Sequence, residues 1–256
     1  MNTATLLSPV APHQTGFSLV EFSIALLVVG LLTWTVSGAY DNSQVLRDRE
    51  QAFSQGEVLR EAVRAFALTH ARLPCPDTTG TGWEGDATGT CSLTADAGWL
   101  PYMSLGIGRS PSRFLAAYSV YRRFDADTAH DADTAVRKER TGNSAGSTGY
   151  KDTRDLIAAL ANASGDPTSP TRTRLTGNDG TEGAVDCTNN IRSHPAFFIV
   201  IPLSDAAGSA SGFEGPNGSG SNCAWTPGKG LQQGRDDVVI AEPLLTLSGW
   251  LGARAP

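Results

Sequence analysis

The chain has 256 residues, of which 40% are hydrophobic, enough to bury one sizeable core. Its 28 glycines and 14 prolines make up about one residue in six, above the usual ~12%, which implies long loops around that core. The formal charge is −6 with both signs interspersed, so the basic face of a dedicated nucleic-acid binder is missing.

The first element lies near the N-terminus. Nineteen residues, Phe22 to Tyr40, carry no charge. As a helix rising ~1.5 Å per residue they span about 28 Å, close to the ~30 Å hydrocarbon core of a bilayer. A lone carboxylate, Glu21, stands at the edge of this run, preceded by Gly16-Phe17-Ser18-Leu19-Val20. A secretory signal peptide would have Ser37-Gly38-Ala39 as its small-x-small cleavage site. The run is longer than the usual ~7–15-residue apolar region, however, and no Lys or Arg precedes it. A plain signal anchor leaves Glu21 unexplained, because a carboxylate near hydrocarbon is costly and as a rule functional.

Gly16-Phe17-Ser18-Leu19-Val20-Glu21 resembles the cleavage and methylation motif of type IV pilins and type II secretion pseudopilins. The resemblance implies that prepilin peptidase cuts between Gly16 and Phe17 and methylates the new amine on Phe17. Glu21 is then the fifth residue of the mature chain. It implies a leader at 1–16, the membrane part of one long helix at 17–40, its extracytoplasmic continuation at 41–72, and a globular pilin-like domain at 73–256. The expected place is the inner membrane, single-pass, with the C-terminal domain in the periplasm or in an extracellular pilus. The expected partners are prepilin peptidase, other pilin or pseudopilin subunits and the inner-membrane assembly platform; a membrane is expected and nucleic acid is not. Glu21 takes the assembly role, pairing with the N-terminal amine of a neighbouring subunit. Such a pair inside an apolar bundle rewards one docking register, since either charge left alone is expensive. Gly30 and Gly38 each weaken the helix by ~1 kcal/mol relative to Ala. In the family the segment between two such points can extend, although many members have proline where Gly38 stands.

Beyond the apolar run, Val45, Ala52, Leu59 and Phe66 fall seven apart, with Gly56, Val63 and His70 four residues after the last three. This stripe of helical period leaves Arg60, Glu61, Arg64 and their charged neighbours mostly on other faces and His70 at the rim. A coiled-coil dimer could use the same stripe; the pilin family packs it against its own sheet. Pro74 and Pro76 end the helix. Leu73-Pro74-Cys75-Pro76-Asp77, a second cysteine, then Gly98-x-Leu100-Pro101-Tyr102-x-x-Leu105-Gly106 resemble a subset of minor pilin-like proteins.

Residues 113–122 are expected to form a strand with Tyr118, Val120 and Tyr121 in the sheet. Residues 125–150 are expected to be an inserted, solvated loop, including the run Arg137-Lys138-Glu139-Arg140. Its repeat, Asp125-Ala-Asp-Thr-Ala and again Asp131-Ala-Asp-Thr-Ala, fails the calcium-loop spacing, because His130 and Val136 stand where Gly and Glu are needed. Asp152 caps a short helix to Ala163. Residues 164–183 are expected to be loop. Ala196 to Pro202 is a buried strand. Residues 204–222 are Gly/Ser-rich and expected to be flexible. Asp236-Asp237 lead into a last strand, Val238 to Ile240, which also resembles the pilin-like subset, and Leu244 to Leu251 closes the domain as a short helix or strand.

All four cysteines, Cys75, Cys91, Cys187 and Cys223, follow the apolar run. An even count there fits two disulfides in an oxidising compartment. Three pairings are open, and nearest neighbours, Cys75–Cys91 with Cys187–Cys223, are the expectation. No Cys-x-x-Cys occurs and the histidines (13, 70, 130, 194) are scattered, so no metal site is expected, nor a cofactor. Gly142-Asn143-Ser144-Ala145-Gly146 matches a hydrolase pattern but lacks the strand before and helix after that it needs, so no catalytic residue is expected. The expected fold is α+β: a long N-terminal helix on an antiparallel sheet, with long disulfide-stapled loops. The expected function is that of a structural subunit, minor pilin or pseudopilin. The alternative is an adhesion or DNA-uptake protein presented by such a filament.

Overall fold

The computed structural model describes residues 18–92, 94–108, 115–142, 150–177, 185–203, 212–227 and 236–255, without the side chains of 35–43 and 45. The chain divides into two units, Met1–Arg47 and Asp48–Pro256. Helix α1, Leu19–His70, has 52 residues and belongs to both.

In the first unit, Ser18 immediately precedes α1, and its carbonyl accepts the Phe22 N–H at 3.1 Å. After Glu21 no proline or charge interrupts the helix up to Asp41. The large apolar side chains from Leu19 to Trp34 are exposed, Trp34 to 77%. Residues 26 to 29 are four consecutive members of this set; at ~100° per residue they take in every side of the helix. Among the described residues no helix is long and apolar enough to cross a membrane. Described side chains on this stretch stop at Trp34, whereas the uncharged run of the sequence continues to Tyr40.

In the second unit, α1 buries Ala52, Gly56, Leu59, Val63, Phe66 and Ala67, the stripe the spacing gives, while His70 is exposed and stacks on Phe66 at 3.9 Å. The contact is close at Gly56: a Cβ there would lie 2.5 Å from Ile240 Cγ1. Arg64 departs from expectation. It is buried, and its guanidinium grips Glu242 at 2.8 and 2.7 Å, because a bidentate partner from a distant strand makes a buried guanidinium tolerable. The helix stops at His70; Ala71 takes φ 54°, the left-handed conformation that commonly ends helices.

The main sheet is antiparallel, in the order β1 (Ala97–Trp99), β2 (Ala117–Val120), β5 (Pro195–Ile201), β7 (Val238–Pro243). Both of its faces are covered, which is why β5 is apolar throughout. Phe197, Ile199 and Ile201 share one cluster with Leu59 and Val63 of α1, Leu156 and Leu160 of α2 (Thr153–Ser164), and Leu247 and Leu251 of α3 (Leu244–Gly252). Phe198 and Val200 point the other way, into a cluster with Leu175, Phe213 and Trp225. That second cluster belongs to a smaller mixed sheet, in the order β4 (Ile191–Ser193), β3 (Arg174–Thr176), β6 (Cys223–Trp225), with β3 and β6 parallel. The fold is therefore α+β with one antiparallel and one mixed sheet. Burying a Phe or Ile contributes about 1.5–3 kcal/mol, so β5 anchors both layers.

Four expectations are corrected. The loop 164–183 contains β3. Of 204–222, the described part from Gly212 is packed, with Phe213, Glu214 and Asn217 buried. The strand expected at 113–122 is formed by Ala117–Val120; Arg113 lies outside the described residues. Last, the second copy of the acidic repeat is not solvated: Asp131, Ala132, Asp133, Thr134 and Ala135 are all buried. Asp131 accepts Arg140 Nη2 at 2.6 Å and Lys138 Nζ at 2.9 Å. Asp133 takes Arg122 at 3.0 and 2.8 Å, and the Arg140 side chain is wholly covered. Charge alternation resembles a solvated loop only until each charge finds a partner that desolvates with it. The first copy stays outside, Asp127 capping one 3-10 turn, Thr128–His130.

Candidate functional site

Gly16 and Phe17, the expected cleavage and methylation residues, lie outside the described residues, as do residues 143–146 of the hydrolase-like pattern. Glu21 is described, in the first turn of α1. Its Oε2 accepts the Ser18 N–H at 3.0 Å, and Ser18 Oγ accepts the Val20 N–H at 3.3 Å. Ser18-x-x-Glu21 therefore closes the glutamate arm of a capping box, satisfying N–H groups at the start of a helix that have no partner within it. Glu21 thus has a partner within its own chain, which was legible in the Ser-x-x-Glu spacing.

The four cysteines form two disulfides, Cys75–Cys91 and Cys187–Cys223, as nearest neighbours. In the chain-entropy account each closed loop of this size contributes about 3–4 kcal/mol. The first ties the end of α1 to the loop before β1, which is built from the motif residues. The Pro74 carbonyl accepts Tyr118 Oη at 3.1 Å. The Asp77 carboxylate accepts the N–H groups of Thr79, Gly80 and Gly82 at 2.8, 2.8 and 2.6 Å. A Cβ on Gly98 would lie 2.7 Å from the Asp77 carbonyl oxygen. Tyr102 Oη accepts the Ala116 N–H at 3.0 Å. Burial pushes the Glu84 carboxyl up, but two bonds from Arg72, at 2.8 and 2.6 Å, and the Cys75 N–H at 3.0 Å hold it below the ordinary glutamate value. Beside this loop, Phe66, His70, Trp83, Glu84, Asp86 and Ser104 line a cleft of about 690 Å³.

The histidines described do not gather with cysteines. His130 bonds Asp127 at 2.8 Å. His194 Nδ1 lies 2.7 Å from the Thr173 carbonyl, and burial holds its imidazole below the usual range. Carboxylates gather instead at the start of β7, where the sequence marked Asp236-Asp237 only as the lead into a strand. Glu214, Asp236 and Asp237 each bring an oxygen within 4.8 Å of the other two. Asp237 Oδ2 accepts the Glu214 N–H at 2.9 Å and Asn217 Nδ2 at 3.1 Å, and Glu214 Oε2 accepts the Asp236 N–H at 2.6 Å. Burial pushes the Asp237 carboxyl up to about 7, and the two neighbouring carboxylates add to the shift. Glu214 sits in a Gly/Ser-rich stretch that composition gives to loop, and nothing local pairs it with two aspartates more than twenty residues on.

Comparison with protein-family models, with curated proteins and with solved structures finds no match for this chain.

Proposed function

We propose that this chain is a pilin-like structural subunit, a minor pilin or pseudopilin, cut after Gly16, N-methylated on Phe17, held in the inner membrane by residues 22–40 and built into or onto a filament through α1 and Glu21. The observation that carries this reading is the character of α1. From Leu19 to Trp34 its apolar side chains are exposed on every side, the pattern of a helix whose partner is lipid or other apolar helices. From Ala52 onward the same helix has a single apolar face, covered by its own sheet. Among the described residues a Cβ on Gly30 would meet nothing within 4 Å, which leaves that face open to a neighbouring helix. Two disulfides fit an oxidising compartment.

A mass spectrum of the N-terminal peptide from native membranes tests this. It should show a chain beginning at N-methylated phenylalanine, Phe17. A chain beginning at Tyr40 would mean an ordinary signal peptide, and an unprocessed Met1 would leave only a signal anchor.

A further inference from the structure

Three carboxylates converge where residues 212–217 meet the start of β7, and the filament reading gives them no task. We propose that Glu214, Asp236 and Asp237 form a binding site for one divalent cation of the calcium class, a reading that stands or falls independently of the filament.

Spacing is the first argument. The three oxygens lie within 4.8 Å of one another. Two oxygens on opposite sides of a calcium ion, each at ~2.3–2.6 Å, are about 4.6–5.2 Å apart, whereas magnesium at ~2.0–2.1 Å draws them to about 4.2 Å. The set is thus compact enough for all three oxygens to reach one calcium ion. An all-oxygen, carboxylate-rich set also disfavours the softer transition metals.

Buried, unused oxygens are the second argument. Glu214 is 1% exposed and Asp237 7%. Among the described residues Glu214 Oε1 and Asp237 Oδ1 have no hydrogen-bond partner. A buried carboxylate oxygen left so is expensive, and among the described residues no cation neutralises either group. Meanwhile the other oxygen of each is fixed, Asp237 Oδ2 by Glu214 N–H and Asn217 Nδ2, and Glu214 Oε2 by Asp236 N–H. Ligating carboxylates are held in this way, one oxygen by the protein and one left for the ion. Asn217 is itself fixed, its Oδ1 accepting the Trp225 N–H at 3.3 Å, so the loop that presents Glu214 is tied to β6.

The experiment uses the full chain in detergent, stripped with a chelator. Calcium chloride is titrated in by calorimetry, and terbium chloride is followed by luminescence excited through tryptophan, Trp225 being the nearby donor. We expect one calcium site with Kd in the range of about 10⁻⁴–10⁻³ M typical of extracellular modules. Calcium should displace terbium, and about tenfold more magnesium should be needed for the same displacement. Glu214→Gln and Asp237→Asn should each weaken calcium binding about tenfold or more while keeping the native circular dichroism and both disulfides. The folded native chain binding no calcium at millimolar levels would overturn the proposal. So would magnesium binding as well as calcium, or both folded variants binding like the native chain. Should one variant fail to fold, the other, together with the native chain's response to calcium and terbium, decides the matter.

Discussion

Glu21 is the residue on which two physical accounts meet. Within the chain its carboxylate accepts the Ser18 N–H at 3.0 Å, which is a helix cap. In the proposed filament its charge pairs with the amine of the next subunit. Substitution separates the two. Glu21→Gln keeps an acceptor for the Ser18 N–H, since Gln serves in a capping box, but it loses the charge. Glu21→Val loses both. Leaving one buried charge of a pair without its partner costs about 3–5 kcal/mol, enough to lower incorporation about a hundredfold. We expect both variants to reach the inner membrane and fold, and both to be depleted from sheared filaments, measured by fractionation and quantitative blotting. Depletion of Glu21→Val alone would assign the residue to the cap. Normal incorporation of both would remove Glu21 from assembly altogether.

Among elements, α1 and β7 meet closely. Gly56 lets the helix lie against Ile240, and two turns later Arg64 grips Glu242, which is wholly buried at 0% exposure. A buried pair of this kind is weak evidence for net stability, but breaking one side of it is costly. Glu242→Gln should therefore destabilise the folded unit by about 3 kcal/mol, the low end of the range because Glu61 still offers Arg64 a carboxylate at 2.5 Å. The double variant Arg64→Met/Glu242→Leu should recover most of that loss. Urea unfolding of the two variants checks this, and a double variant as unstable as Glu242→Gln would show that the junction needs its charge. The stripe Ala52, Leu59, Val63 and Phe66 was legible because a helical period repeats over four turns, and β5 because six apolar residues run between Pro195 and Pro202. Strands β3, β4 and β6 were not, since each has three residues, too few for a period, and β3 owes its place to partners some fifty residues away, as when the Arg174 N–H donates to the Asn222 carbonyl. The motif residues around Cys75 and Gly98 turn out to be joinery: caps, a disulfide and a glycine where a side chain would strike the Asp77 carbonyl. The carboxylate triad was illegible for the same reason as β3, because convergence across a Gly/Ser-rich stretch leaves no local pattern.

At the scale of the whole molecule, several carboxylates are held by cations and backbone N–H groups, and these set its response to acid. Burial pushes the Asp131 carboxyl up, but Lys138, the Asp125 N–H and Arg140 together hold it below the ordinary aspartate value. Asp155 is likewise penalised by burial and held low by the N–H groups of Arg140, Asp152 and Thr141 and by the Thr141 hydroxyl. Glu84 behaves in the same way. A carboxyl held lower in the folded chain than in the unfolded one contributes stability that is fully present above the unfolded value, about 4. That stability is lost as pH falls through the folded value, because the unfolded chain then takes up protons first. These three groups sit in two places: Asp131, within the β2–α2 connection, and Asp155, in the capping box of α2, both bind Arg140, and Glu84 lies at the loop closed by Cys75–Cys91. Acid should therefore loosen the loop closed by Cys75–Cys91 and the 122–155 network, with the urea midpoint of the oxidised chain falling between about pH 4 and pH 2. Asp131→Asn should be less stable by about 3 kcal/mol at pH 7, where it leaves Arg140 buried without its carboxylate, and should lose less than the native chain on going to pH 3. A native midpoint unchanged at pH 3, or an Asn variant that falls as steeply as the native chain, would mean that these carboxylates are not what the fold depends on in acid.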